Sequence, residues 1–228
     1  MQETLNFGKS EKKKVKEVLA NFEEAETTNY FEEKRAKHEG CTITLYDSGK
    51  LSIQGMAASK VKEEILSAMG LEQELIIGID ETGRGERDGP MVIAGVLADK
   101  NSLREMRDSK KVSDIAGKEK IISEKMLGSV IVSLNSELID FARNNGKNLN
   151  EIEAEIIDNI AATLSSFGGA KIIADGAPLK VKNKKINFKP KADDLEPVVG
   201  AASIIAKHSR NNSQDKKERK TWKRKNDE

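Results

Sequence analysis

Sulfur chemistry is almost absent from this sequence, in which Cys41 is the single cysteine. One thiol cannot build an intramolecular disulfide framework or a Cys-rich zinc site, and it suits a reducing compartment. No apolar run approaches the roughly 20 residues that span a bilayer, and the opening MQETLNFGKSEKKK lacks the apolar stretch of a secretory signal. These absences point to a cytoplasmic protein without a membrane partner. An excess of one charge is missing as well, since 39 Lys and Arg face 38 Asp and Glu for a net charge of +1. Affinity for a polyanion must then come from local basic patches rather than from the field of the whole chain. What is present is 228 residues, 37% hydrophobic and 34% charged, enough for one or two domains with a buried core.

Val15, Val18, Leu19 and Phe22 recur at helical spacing and predict an amphipathic helix from Ser10 to about Phe22. TITLY and LSIQG, separated by DSGK, predict a hairpin. Val61, Ile65, Leu66 and Met69 predict another helix, closed by Gly70. A small α+β domain therefore covers residues 1–70, with His38 placed on a polar helix end.

From there LIIGID and MVIAGVLAD read as adjacent buried strands, SVIVSLN as a third and KIIAD as a fourth. Ser113 is a cap for a helix reaching about Met126, and a short helix runs from about Glu137 to Arg143. Asn150 and Glu153 resemble a capping box for a helix with the stripe Ile152, Ile156, Ile160 and Leu164. VVGAASIIAKHS is apolar nearly all round and must be a buried helix, started by Pro197. Alternation of this kind predicts an α/β domain over 71–210, a sheet covered by helices, leaving 211–228 as a basic, flexible tail.

Asp80 and Glu81 end one apolar strand, and Asp175 ends another. Consecutive carboxylates have no structural use there, because an unpaired buried charge costs several kcal/mol. Asp193 and Asp194 precede the buried helix, where simple N-capping is the plainer alternative. Strand ends of an open α/β sheet converge on one crevice, so Asp80, Glu81, Asp175 and Asp193 can meet. Oxygen ligands alone favour a hard divalent ion, Mg2+ or Mn2+. Gly83, Gly85 and Gly89 are not a dinucleotide loop, because Pro90 leads into a strand and not a helix. Beside Arg84 they let backbone approach a sugar-phosphate chain. Lysines at 180, 182, 184, 185, 189 and 191 and those after Asp108 are further phosphate-binding candidates, against a solvated-loop alternative. His208 and Trp222 are read first as surface and tail residues.

GIDETGRGERDGPMVIAGV, DSKKVSD, IIADG and KADD with VVGAASIIAK, in that order, resemble the type 2 ribonuclease H family. TITLYDSGKLSIQG resembles the N-terminal TBP-like substrate-binding domain of its ribonuclease HIII branch. The resemblance implies a ribonuclease H-like mixed sheet flanked by helices, preceded by the TBP-like domain, and an endonuclease that cuts the RNA strand of RNA/DNA hybrids. It places the catalytic, metal-binding acids at Asp80, Glu81, Asp175 and Asp193. Substrate contacts fall on Gly83, Arg84 and Gly85 around the ribose 2′-hydroxyl, on Ser109 and Lys110 after Asp108, and on Ser203. A two-metal hydrolysis leaving 5′-phosphate and 3′-hydroxyl ends follows, with no obligatory protein partner implied.

Asp193 follows the HII pattern, where the HIII branch carries Glu. No tyrosine follows Tyr46 to read an RNA–DNA junction, and the chain stops soon after the buried helix, where relatives continue. These departures predict preference for runs of ribonucleotides and keep a second reading open: a non-catalytic hybrid- or DNA-binding protein with an idle site.

Overall fold

The computed structural model describes residues 2–71, 73–104 and 114–222. The chain divides into two compact units, Met1–Gln73 and Glu74–Glu228.

In the first unit the hairpin is β4 (Cys41–Tyr46) and β5 (Lys50–Gln54). Three strands without a period-two apolar signal complete the sheet: β1 (Gln2–Asn6), β2 (Glu23–Ala25) and β3 (Glu32–His38). Their antiparallel order is β1-β5-β4-β3-β2. The two helices, α1 (Lys9–Leu19) and α2 (Ala58–Ala68), cover one face, where Ile43, Leu45, Leu51 and Ile53 meet Val15, Leu19, Val61 and Ile65. β3 escapes sequence detection because it is charged almost throughout. Glu33 within it bridges Lys12 and Lys16 of α1, so a carboxylate stands where an apolar contact is expected. His38 is the last residue of β3 and not a helix end, and its ring stacks on Phe22 at 4.1 Å between centroids.

The second unit is a mixed sheet in the order β10-β9-β6-β7-β8. Its strands are β6 (Leu75–Thr82), β7 (Met91–Asp99), β8 (Gly128–Leu134), β9 (Lys171–Asp175) and β10 (Ile186–Lys189). β6, β7 and β8 run antiparallel, while β9 lies parallel to β6 and β10 parallel to β9. Alternate residues of β7 serve opposite layers. Val92, Ala94, Val96 and Ala98 face α7 (Pro197–Asn211), whereas Met91, Ile93 and Leu97 face α5 (Leu149–Ser165). Helices α3 (Ile115–Lys125) and α4 (Ser136–Asn144) extend the two layers. Pro197 occupies the start of α7 as expected, and the one-turn α6 (Ala192–Leu195) precedes it. At Gly78 the α7 backbone lies so close that a Cβ would come within 2.5 Å of the main chain of Val198 and Val199. That approach sets α7 directly on β6, two residues before Asp80.

Two local expectations change. Asp114 caps α3, accepting the Gly117 N–H, and Ser113 lies outside the described residues. The capping box of α5 is Asn148 with Glu151, two residues earlier than Asn150 with Glu153. The predicted flexible tail is also corrected as far as Trp222. Asp140 of α4 accepts hydrogen bonds from the backbone of Lys220 and from the backbone and hydroxyl of Thr221, and Ser136 donates to Asp215 through both N–H and Oγ. These bonds fasten a segment whose composition alone reads as solvated. Among the described residues no helix is long and apolar enough to cross a membrane.

Candidate active site

Asp80 lies near the end of β6, the strand flanked by β9 and β7. The parallel register pairs Ile79 with Ala174, so the next residues, Asp80 and Asp175, stand side by side at the same end of the sheet. Both follow the strand alternation that puts Ile76 and Ile173 against α7. Asp175 accepts the Ala192 N–H at 2.6 Å, tying the first residue of α6 to the end of β9. Asp193, next along and buried, is thereby carried to the same end. Neither Asp193 nor Asp194 is an N-cap: Glu196 holds that position for α7, and Lys191, left-handed at φ 59°, holds it for α6. The simple capping explanation therefore fails for this pair.

Ser203 on α7 is 2% exposed, and its hydroxyl stands beside the Asp80 carboxylate, where it favours the ionised form. Lys207, one turn on, donates to Ser203 Oγ at 2.9 Å. Burial pushes the Asp80 pKa up to about 7, opposed by the Ser203 hydroxyl, and the charges of Asp175 and Asp193 add to the rise. Glu81 points to the other face, where burial, Asp80, Glu153 and Asp175 raise its pKa to about 7. Each of these groups resists ionisation chiefly because it is buried, and the like charges of its neighbours add to that.

Among the described residues, no three His, Cys, Asp or Glu side chains stand close enough to hold an ion as they are. The donor set nevertheless fits one in kind. It is all carboxylate oxygen, desolvated and mutually repelling, the condition that a hard divalent cation relieves.

The loop after β6 contributes the other group of expected residues. Gly83 has φ +78°, and a Cβ there would collide with Arg210 Nε at 2.4 Å and Pro90 O at 2.5 Å. Nothing lies within 4 Å of where a Gly85 Cβ would stand. Arg84 reaches α5, where its Nε donates to Glu153 at 2.6 Å and its other arm bonds Asn150. Asn150 and Glu153, read in sequence as a cap, are thus the seat of Arg84. Burial raises the Glu153 pKa, opposed by the Arg84 charge and hydrogen bond. A buried carboxylate within the apolar stripe of α5 was the available signal for this role. Asn150 also lines a cleft of about 540 Å³ with Asp158, Pro178, Leu179, Lys180 and Lys182. Lys189 is engaged by Glu196. Ser109 and Lys110, with Asp108, lie outside the described residues.

Carboxylates from two neighbouring strand ends and a following helix, beside a glycine-arginine-glycine loop on a mixed five-stranded sheet, define a hydrolase of the ribonuclease H class. The comparisons agree. The ribonuclease HII family model matches residues 77–227. Ribonuclease HII of Thermococcus kodakarensis is 39% identical over 164 residues, covering 62% of this chain and 68% of the relative. The chain belongs to the ribonuclease HII family, whose members are hydrolytic endonucleases acting on the RNA strand of RNA/DNA hybrids. Ribonuclease HIII of Bacillus velezensis is 28% identical over 216 residues, which is 77% of this chain, more than the second unit alone holds, and 69% of the relative. The crystal structure of Bst-RNase HIII in complex with Mn2+ matches with a TM-score of 0.55 at 21% identity, over 92% of this chain and 81% of that one, so the fold is shared across both units.

Proposed function

We propose that this chain cleaves the RNA strand of RNA/DNA hybrids at the sheet end formed by Asp80, Glu81, Asp175 and Asp193, using Mg2+ or Mn2+. The observation that carries the assignment is the adjacency of Asp80 and Asp175, with Asp193 tethered to them through the Asp175–Ala192 hydrogen bond. Divalent ions held by Asp80, Glu81, Asp175 and Asp193 would activate a water and neutralise charge at the leaving 3′-oxygen, so that the products would carry 5′-phosphate and 3′-hydroxyl ends. The Ser203 hydroxyl, held by Lys207, favours the ionised form of Asp80 that a metal ion needs. Gly83 and Gly85 let the backbone approach the ribose, and Arg84, steered by Glu153 and Asn150, faces the phosphates. Ser109 and Lys110 are assigned to substrate by sequence resemblance alone.

The first unit is assigned to binding. Thr4, Ser52, Thr44 and Arg35 lie in register across four strands, as do Gln2, Gln54, Thr42 and Lys37. Both rows occupy the face that neither helix of this unit covers, and on β2 they continue to Ala25 beside Arg35 and to Glu23 beside Lys37. Apart from Glu23 at the β2 edge, these groups are uncharged polar or basic, which suits the regular phosphates of a duplex.

The test is to incubate labelled RNA/DNA hybrid, single-stranded RNA and a duplex with one ribonucleotide, each with Mg2+, Mn2+ or EDTA. Hybrid cleavage with either metal and none in EDTA is the expected result. Hybrid binding without cleavage under any metal would instead establish a non-catalytic binding protein.

A further inference from the structure

The segment after α7 returns to the active-site loop and grips it through one buried side chain. Arg219 is 2% exposed. Its guanidinium donates to Gly83 O at 2.7 Å, to Arg84 O at 3.2 Å, and through two nitrogens to Gly89 O at 2.9 and 2.8 Å. Its own N–H donates to Arg87 O at 2.9 Å, and Gly89 N–H donates to Lys217 O at 2.9 Å, so the strap and the loop are also joined main chain to main chain. The Trp222 indole N–H reaches Gly85 O at 3.2 Å. The far side of the strap is fixed by Asp140 and by Ser136, as described above.

A trans peptide plane points its N–H away from its C=O. Drawing the carbonyls of Gly83 and Arg84 toward Arg219 therefore turns the N–H groups of Arg84 and Gly85 the opposite way. Two successive N–H groups directed to one side form a small anion- and hydroxyl-binding concavity. Glycine at 85 leaves the approach to it open.

We propose that Arg219 is a positioning residue that holds the Gly83–Gly85 backbone so that the Arg84 and Gly85 N–H groups face the ribose-phosphate of the RNA strand. This rests on the reading of that loop as the substrate loop. A lysine cannot reproduce the grip, because one ammonium lacks the planar fork that serves three carbonyls at once.

The experiment measures binding of RNA/DNA hybrid and of a DNA duplex of the same sequence in EDTA, and cleavage of the hybrid with Mg2+, for the full chain and for Arg219→Lys. Loss of the fork should lower kcat/KM on hybrid and the preference for hybrid over DNA by about tenfold each, with DNA affinity held within about twofold. Equal weakening toward both duplexes would reduce Arg219 to a structural role and overturn the proposal, as would an unchanged preference. If Arg219→Lys does not fold, Asp140→Asn loosens the strap from its other side and should shift the preference in the same direction by a smaller factor. No shift in a folded Asp140→Asn chain would then overturn it. Failure of the functional assignment is separable, because it would show in the unsubstituted chain as absence of metal-dependent hybrid cleavage.

Discussion

The two five-stranded sheets of this protein solve opposite problems. That of the first unit has helices on one face, and its other face carries Thr, Ser, Gln, Lys and Arg in register. That of the second unit is covered on both faces, by α3 and α7 on one side and α4 and α5 on the other. A half-covered sheet can carry a polar face, here with Thr44 and Ser52 buried among their neighbours and Gln2, Lys37 and Gln54 exposed around them. A fully covered sheet confines its polar groups to the strand ends, where burial raises the pKa of Asp80 and Glu81 to about 7. On the proposed reading, binding and chemistry call for different sheet surroundings.

The largest test of this contrast is Asp80→Asn or Asp175→Asn, which should lower kcat on hybrid by about a thousandfold while hybrid binding in EDTA persists. Single-turnover cleavage with Mg2+ reads the first effect and fluorescence anisotropy the second. Activity within tenfold of the unsubstituted chain would place the chemistry elsewhere.

Removing residues 1–73 should act in the opposite sense, raising KM for hybrid by about ten- to a hundredfold with a smaller change in kcat. The salt dependence of binding should flatten, since phosphate contacts are lost. An unchanged salt slope would deny the first sheet its binding role.

Substrate range comes next. Groove shape and the glycine-arginine-glycine loop favour continuous A-like hybrid, so a run of ribonucleotides should be cut with about tenfold higher kcat/KM than one embedded in DNA. Equal values at the same salt and metal would shift attention to Trp222, whose indole sits on the Gly85 carbonyl.

The smallest effect concerns the metal-free protein. The folded pKa values of Asp80 and Glu81 lie above those of an unfolded chain, so the fold holds more protons than the unfolded state between about pH 4 and 7. Stability is fully present below that window and falls as the pH rises through it. Tm in EDTA should thus be higher at pH 5 than at pH 8, and Asp80→Asn should shrink the difference. A flat or rising profile would mean that these carboxylates ionise without cost in the fold.

Much of this organisation is legible from residue order because apolar patterning is local. LIIGID, MVIAGVLAD and KIIAD become β6, β7 and β9, and the all-apolar VVGAASIIA becomes the buried α7. The strands β1, β2, β3 and β10 are not legible, because edge and half-covered strands bury few side chains and carry charge on the rest. Glu33 and Ala36 of β3 take their places only once α1 and β4 are present to receive them.

For the proposed site, residue order marks the four acids and the glycine loop as candidates, since carboxylates stand out where an apolar strand stops. It did not reveal that Asn150 and Glu153 seat Arg84, nor that Arg219 grips Gly83, Arg84 and Gly89. Those partners are separated by 66 and 69 residues for Arg84, and by 130 to 136 for Arg219. Strand, helix and carboxylate identity follow from local pattern, which the sequence determines by itself. Which carbonyls a buried arginine meets depends on how α4, α5 and α7 close around the sheet, and only the tertiary structure decides that.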